Sequence, residues 1–178
     1  MPDHVNARPP YHPAAKAFHW LVAVFVFFVL PLGFLTGLVK SDVSADVYFW
    51  HESLGFTVLW LMLARLCVRF LTTVPEKPAG IPLVQAIAAG LSQWLLYLAL
   101  IAQPIVGFLL TNAHGYAFDW FGVLPIASPI GKSSTWAPIL GEIHGFLGWT
   151  ILVLILVHIS GALYHLIIRR DDTLARMT

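Results

Sequence analysis

Four histidines, His19, His51, His144 and His158, fall within long apolar stretches, and each is followed four residues later by a small side chain: Ala23, Gly55, Gly148 and Ala162. An imidazole in an apolar helix marks ligation, a proton path or an interhelical hydrogen bond. The small neighbour points to ligation of iron in a flat macrocycle. Residue i+4 lies on the same helical face as the histidine, and a bulky side chain there would keep the ring from approaching. The other histidines, His4, His12, His114 and His165, are followed at that position by Arg8, Lys16, Phe118 and Arg169 and are read as having other roles.

The elements that must position these groups follow from composition. Of 178 residues, 58% are hydrophobic and only 11% charged, which is too apolar for a soluble domain and fits a bundle of membrane-spanning helices. Apolar stretches run over residues 18–39, 48–71, 83–111 and 140–168. Each exceeds the roughly 20 residues that cross the hydrocarbon core. The fold class is therefore all-α: an integral membrane bundle of four transmembrane helices, residues 17–170, between an N-terminal arm (1–16) and a C-terminal tail (171–178). The first helix is too long for the core of a cleavable signal and carries His19.

Lys and Arg set the orientation. Arg8, Lys16, Arg65, Arg69, Lys77, Arg169, Arg170 and Arg176 gather at one end, against only Lys40 and Lys132 at the other. Both termini and the 72–82 connection are expected in the cytoplasm, with connections 38–47 and 112–139 outside. The 112–139 segment, with Tyr116, Trp120, Phe121 and Trp136, is expected to cap the outer end at the membrane interface. The Pro-rich start reads as a loosely attached arm, and Pro31 with Gly33 and Pro104 with Gly107 as packing or kink positions. A net charge of +1 gives no reason to invoke nucleic acid. Cys67 is the only cysteine and no Cys-x-x-Cys-His motif occurs, so a haem would be held by coordination and packing, as in b-type haem.

Depth then pairs the ligands. His51 and His144 stand near the outer starts of the second and fourth helices; His19 stands near the inner start of the first, and His158 lies fourteen residues after His144, about 21 Å along the axis. His51 with His144 and His19 with His158 each make a bis-histidine site, for two haems b in all. A single membrane histidine is as readily a packing or proton-path residue, but four matched in depth are not. Zinc competes poorly, because the pairs are too far apart to form one tetrahedral site.

The segments Phe18-His19-Trp20, Trp50-His51-Glu52-Ser53-Leu54-Gly55, the His144 to His158 spacing, and Tyr164-His165 through Arg169-Arg170-Asp171-Asp172-Thr173-Leu174 resemble the bacterial cytochrome b561 family over nearly the whole chain. The resemblance implies a multi-pass protein of the bacterial inner membrane with two b haems on the same four histidines. It extends to the superoxide oxidase branch, which implies oxidation of superoxide at the outer face and reduction of ubiquinone near the inner one. Gln93 stands where some members carry a histidine early in the third helix.

A six-coordinate iron leaves no open position, so chemistry at the outer face would be outer-sphere electron transfer. Lys132 is a candidate for attracting the superoxide anion and Trp136 for a place at the haem edge, beside the plainer roles of loop charge and interfacial anchor. At the inner end, His165 lies one heptad after His158, hence on a similar face, and is the candidate quinone contact, with Tyr164 and Gln93 secondary. Arg65, Arg69 and Arg169 are candidate propionate, quinone or lipid partners, and Glu52 and Glu142 candidate partners of the outer ligands. The competing function is a haem-bearing membrane anchor that relays electrons between quinone and a periplasmic dehydrogenase, hydrogenase or cytochrome c. A purely structural membrane protein would bind no haem at all.

Overall fold

The computed structural model describes residues 9–38, 43–76 and 80–178. His4, Arg8, Lys40, Lys77 and Pro78 lie outside the described residues. Four helices run up and down: α1 (Pro13–Thr36), α2 (Ser44–Leu71), α3 (Leu83–His114) and α4 (Trp136–Leu163), the last continued by a wider π-helical turn, Tyr164–Arg169. All four are long and apolar enough to cross a membrane, and large side chains such as Phe27, Leu98 and Phe146 point outward, as a lipid-facing surface requires. One end of the bundle carries the ends of α1 and α3, the starts of α2 and α4, and residues 115–135; the other carries residues 9–12, the end of α2, the start of α3 and the tail. These are called the loop end and the terminal end.

The α1–α2 and α3–α4 hairpins pack most closely, and α2 meets α3. By contrast α1 barely meets α4, and the backbones of the diagonal pair α2 and α4 do not approach one another. The hydrophobic core is accordingly split. Val22, Val26, Val58, Met62 and Tyr97 fill one cluster across α1, α2 and α3, and Ala113, Ala137 and Leu140 fill another between α3 and α4 at the loop end. Space along the bundle axis is left to the histidines.

At the loop end a short antiparallel hairpin, β1 (Phe118–Trp120) with β2 (Leu124–Ile126), lies against α2. Trp120 Nε1 donates to the Ser53 carbonyl and to Thr57 Oγ1, both at 3.2 Å, and the Phe121 N–H donates to Ser53 Oγ at 3.2 Å. The expected cap is there, but its two strands have no alternating apolar pattern to announce them.

The terminal end differs more from expectation. The helix begins at Pro13, inside the stretch read as an arm, because proline suits the first helical position and His12 Nδ1 accepts the Ala14 N–H at 3.2 Å. The described part of the arm is also fastened rather than loose. Tyr11 N–H donates to the Arg176 carbonyl, Arg176 Nε donates to the Pro9 carbonyl at 3.1 Å, and its Nη1 donates to the Glu76 carbonyl at 2.9 Å. Arg176, 7% exposed, thus ties the tail to both neighbouring segments. Trp20 Nε1 and Lys16 Nζ donate to the carbonyls of Met177 and Thr178, holding the tail on α1 beside His19.

Candidate functional site: two facing histidine pairs

The four membrane histidines meet in two pairs. At the loop end the rings of His51, on α2, and His144, on α4, have centroids 6.0 Å apart and planes at 89°. Toward the terminal end, His19 on α1 and His158 on α4 are 6.1 Å apart at 60°. Two imidazoles on opposite sides of one metal, each about 2 Å from it and with ring centres about 1 Å further back, have centroids about 6 Å apart. In each pair the rings meet across helices whose backbones are scarcely in contact, so side-chain reach alone brings them together. No group of three or more His, Cys, Asp or Glu side chains converges among the described residues. Each pair therefore offers two facing imidazoles and no third such donor among the described residues, a set that would suit a haem iron.

Local structure explains how the loop-end rings are held. His51 Nδ1 lies 3.0 Å from the Val29 carbonyl of α1. A carbonyl only accepts, so Nδ1 carries the proton and Nε2 keeps its lone pair free for a ligand bond. The ring fits there because Gly33 has no side chain: a Cβ at that position would sit 2.7 Å from His51 Cε1. The second hairpin repeats the device. A Cβ on Gly107 of α3 would sit 2.8 Å from His144 Cε1 and 3.2 Å from Nδ1, and Nδ1 completes no hydrogen bond among the described residues. Gln103 Nε2 donates to the His144 carbonyl at 3.0 Å, and Gln103 Oε1 is buried without a partner among the described residues. Val29, His51, Gly55, Gln103, His144 and Ile151 share an apolar cavity on the bundle axis. An apolar cavity lined by both imidazoles fits a flat apolar group that the two rings would hold.

The glycines against the rings are thus Gly33 and Gly107 on the neighbouring helices, which sequence reasoning took for kink or packing positions. The i+4 glycines do less at the rings: a Cβ on Gly55 would make ordinary contact with Val29, and one on Gly148 would meet Gln103 Nε2 at 3.5 Å. A hairpin partner at a distance of eighteen or thirty-seven residues has no periodic signal, whereas spacing within one helix is visible at once.

Arg65 reaches from α2 to α1 near the inner pair. Its Nη1 donates to the Ala15 carbonyl at 3.1 Å, one turn before His19, and its guanidinium lies 5.5 Å from the Tyr97 ring centre. Arg69 stacks on Trp94 and Tyr97 instead. Arg169 turns to Asp171, at 3.3 Å, and to the Gly80 carbonyl. The π-helical turn changes the register after Leu163, so the heptad argument for the face of His165 does not hold. Its Nδ1 faces Asp171 Oδ2 at 2.7 Å, and Thr173 N–H donates to Asp171 Oδ1 at 3.0 Å. Partial burial would raise the Asp171 carboxyl, but hydrogen bonds from Thr173 and His165 outweigh it and hold the group well below the usual carboxylate range. Asp171 was not singled out in the sequence, where it is one acid in a charged run.

At the loop end, Thr111 Oγ1 donates to Glu52 Oε1 at 2.7 Å, so Glu52 is tied to α3 rather than to a histidine ring. The Lys132 stem lies over Gly115, which ends α3 with φ +90°. Trp136 is the exposed first residue of α4, two turns before His144. Among the described residues, neither makes a hydrogen bond or ring contact with the outer pair. Tyr164 packs edge-on against the His165 ring, and Gln93 is half-buried on α3.

A family profile described as prokaryotic cytochrome b561 matches residues 10–178, both hairpins and all four paired histidines included. The chain belongs to that family. It is 29% identical over 174 residues to the protein named cytochrome b561 homolog 2 of Escherichia coli (strain K12), covering 97% of this chain and 93% of that one. It is 29% identical to the probable superoxide oxidase CybB of Yersinia pestis, over 89% of this chain and 90% of that protein. The cytochrome b562 of Cereibacter sphaeroides is 30% identical, over 97% and 98%. The family makes this a multi-pass bacterial membrane protein of electron transport, and it implies b-type haem.

Proposed function

We propose that the chain is a di-haem membrane oxidoreductase that takes electrons from superoxide at the loop end, read as exterior, and delivers them to ubiquinone near the cytoplasmic terminal end. The observation that carries this reading is the pair of 6.0 and 6.1 Å histidine separations at two levels of one bundle. The name of the Yersinia pestis relative supports the donor. His51 and His144 would hold the outer haem and His19 and His158 the inner one. Held there, a haem would supply a one-electron couple. Two superoxide anions give up one electron each and leave as dioxygen; ubiquinone takes both electrons and two protons and leaves as ubiquinol.

The residues divide the remaining work. Val29 fixes the tautomer of His51 through its carbonyl, and Gln103 holds the α4 backbone at His144. Lys132 adds positive charge to the outer loop and attracts an anion, with Trp136 on the same side. Arg65 is the counter-charge for a carboxylate at the inner pair, while Arg69 and Arg169 contribute basic charge at the quinone level. His165, with Nδ1 engaged by Asp171, presents Nε2 to a quinone oxygen and passes a proton there.

The test is stopped-flow haem absorbance of the purified oxidised protein after a superoxide pulse, followed by a soluble ubiquinone analogue. Rapid haem reduction and reoxidation by quinone, both lost in His51→Ala, is the expected result. A haem-loaded protein that does not respond to superoxide would refute the enzyme and favour the relay between quinone and a periplasmic dehydrogenase, hydrogenase or cytochrome c. A well-folded preparation without haem would refute both.

A further inference from the structure

Arg65 and Arg69 stand one turn apart on α2, and like charges at that spacing repel. Tyr97 of α3 lies between them, its ring centre 5.5 Å from the Arg65 guanidinium carbon and 5.8 Å from that of Arg69. Beyond that ring the two diverge. Arg65 reaches across to α1 and donates to the Ala15 carbonyl at 3.1 Å. Arg69, in the last turn of α2, turns to Trp94 of α3, with its guanidinium carbon 5.1 Å from the ring centre. Among the described residues no hydrogen bond or ion pair engages the Arg69 guanidinium, and Asp171, an acid at the same end of the bundle, is taken up by His165, Arg169 and Thr173. Stacking on ring faces leaves the in-plane N–H donors of a guanidinium free, and their fork matches the oxygens of a phosphate.

The surface next to this cation is apolar and faces lipid. Trp94 is 47% exposed, and the exposed Phe70 ring lies against it at 6.3 Å. Leu98 and Ile105 follow Trp94 by four and eleven residues, hence on the same face of α3, and both are exposed. They form a track that runs from the level of Arg69 past the middle of the span. A cation with unused donors at one end of such a track matches the two halves of a phospholipid. A zwitterionic headgroup carries its own ammonium beside the phosphate, which Arg69 repels; an anionic headgroup brings no such charge.

The geometry points to a phospholipid site between α2 and α3: the phosphate of an anionic phospholipid sits on Arg69, Trp94 is the platform that holds the guanidinium, and an acyl chain lies along Leu98 and Ile105. The site requires neither the haem ligation nor the quinone reaction proposed above.

The experiment is native mass spectrometry of the purified haem-loaded protein in detergent, titrated with dioleoylphosphatidylglycerol or dioleoylphosphatidylcholine. Wild type should retain a single phosphatidylglycerol, about tenfold more tightly than phosphatidylcholine, as the loss or gain of a charge-assisted hydrogen bond implies. Arg69→Gln should weaken phosphatidylglycerol retention about tenfold, Arg69→Lys and Trp94→Leu should weaken it less, and Arg170→Gln, at the same end but away from this groove, should leave it unchanged. Equal retention of the two lipids by wild type, equal retention of phosphatidylglycerol by wild type and Arg69→Gln, or an equal loss in Arg170→Gln would overturn the inference. So would displacement of the lipid by inorganic phosphate, which would make this a site for a free anion, or by a soluble ubiquinone analogue, which would give the groove to the quinone. Circular dichroism and haem content check that each variant folds. If Arg69→Gln does not, Trp94→Leu decides the matter, and retention equal to wild type in that variant would overturn the inference.

Discussion

Gly33→Ala is the sharpest perturbation of the loop-end pair. The new methyl would sit 2.7 Å from His51 Cε1 and 3.3 Å from Nδ1, whereas carbon atoms in ordinary contact stand about 3.5–4.0 Å apart. The ring must retreat by about 1 Å. That displacement lengthens the 3.0 Å Nδ1 to Val29 contact to about 4 Å, beyond hydrogen-bonding range. The lost bond costs about 0.5–1.5 kcal/mol and the overpacking about 1–3 kcal/mol, together about 1.5–4.5 kcal/mol against the seated ring. At tenfold per 1.4 kcal/mol, haem affinity at this site falls roughly 12- to 1,600-fold. The helix itself should not suffer, because alanine is the better helix former by about 1 kcal/mol. The assay is haem per polypeptide by pyridine haemochrome, with circular dichroism for helix content and paramagnetic resonance for the number of low-spin centres. One centre should be lost and the helices kept. Gly90→Ala and Gly161→Ala, where an added Cβ meets nothing within 4 Å, should keep both. Full haem content and an unchanged spectrum in Gly33→Ala would refute the idea that the missing side chain makes room for the ligand.

The terminal end offers two further tests. Arg176→Ala strips the hydrogen-bond donor from the Pro9 and Glu76 carbonyls, and bonds to charged donors contribute about 1.5–3 kcal/mol each; thermal denaturation in detergent should show a loss of about 3–6 kcal/mol, with the tail newly open to limited proteolysis. Asp171, whose carboxyl is held below its ordinary value of about 3.8, contributes stability that is complete above that value and disappears as the pH falls through its depressed value in the folded protein. The melting-temperature gap between wild type and Asp171→Asn should therefore stay constant above about pH 5 and close on acidification below about pH 4; a gap that widens in acid would contradict the His165–Asp171 pairing.

Much of the architecture was legible because the bilayer allows few solutions. A long apolar stretch that must satisfy its own backbone becomes a helix, and the four spans lie where hydropathy put them, with boundaries shifted by a few residues where Pro13 and Ser44 start helices earlier than the apolar signal. Pairing of His51 with His144 and of His19 with His158 was reached from depth alone, since helix rise and up-and-down topology fix the level of a residue. The hairpin over α2, the fastening of the arm by Arg176 and the engagement of His165 with Asp171 were not legible. Each depends on a loop or tail folding back on a distant segment, and no local pattern encodes that.

The amino-acid sequence by itself determined the number of helices, the level of each histidine and the chemistry those side chains can offer, because period, rise and hydrophobicity are properties of single segments. Only the tertiary structure decided which surfaces those histidines lean on. Val29 and Gly33 meet His51, Gln103 and Gly107 meet His144, and Arg65 stands by the inner pair because rotation and crossing of packed helices set those contacts. The rotation of each helix is fixed by every side chain along it at once, so no spacing within one helix discloses it.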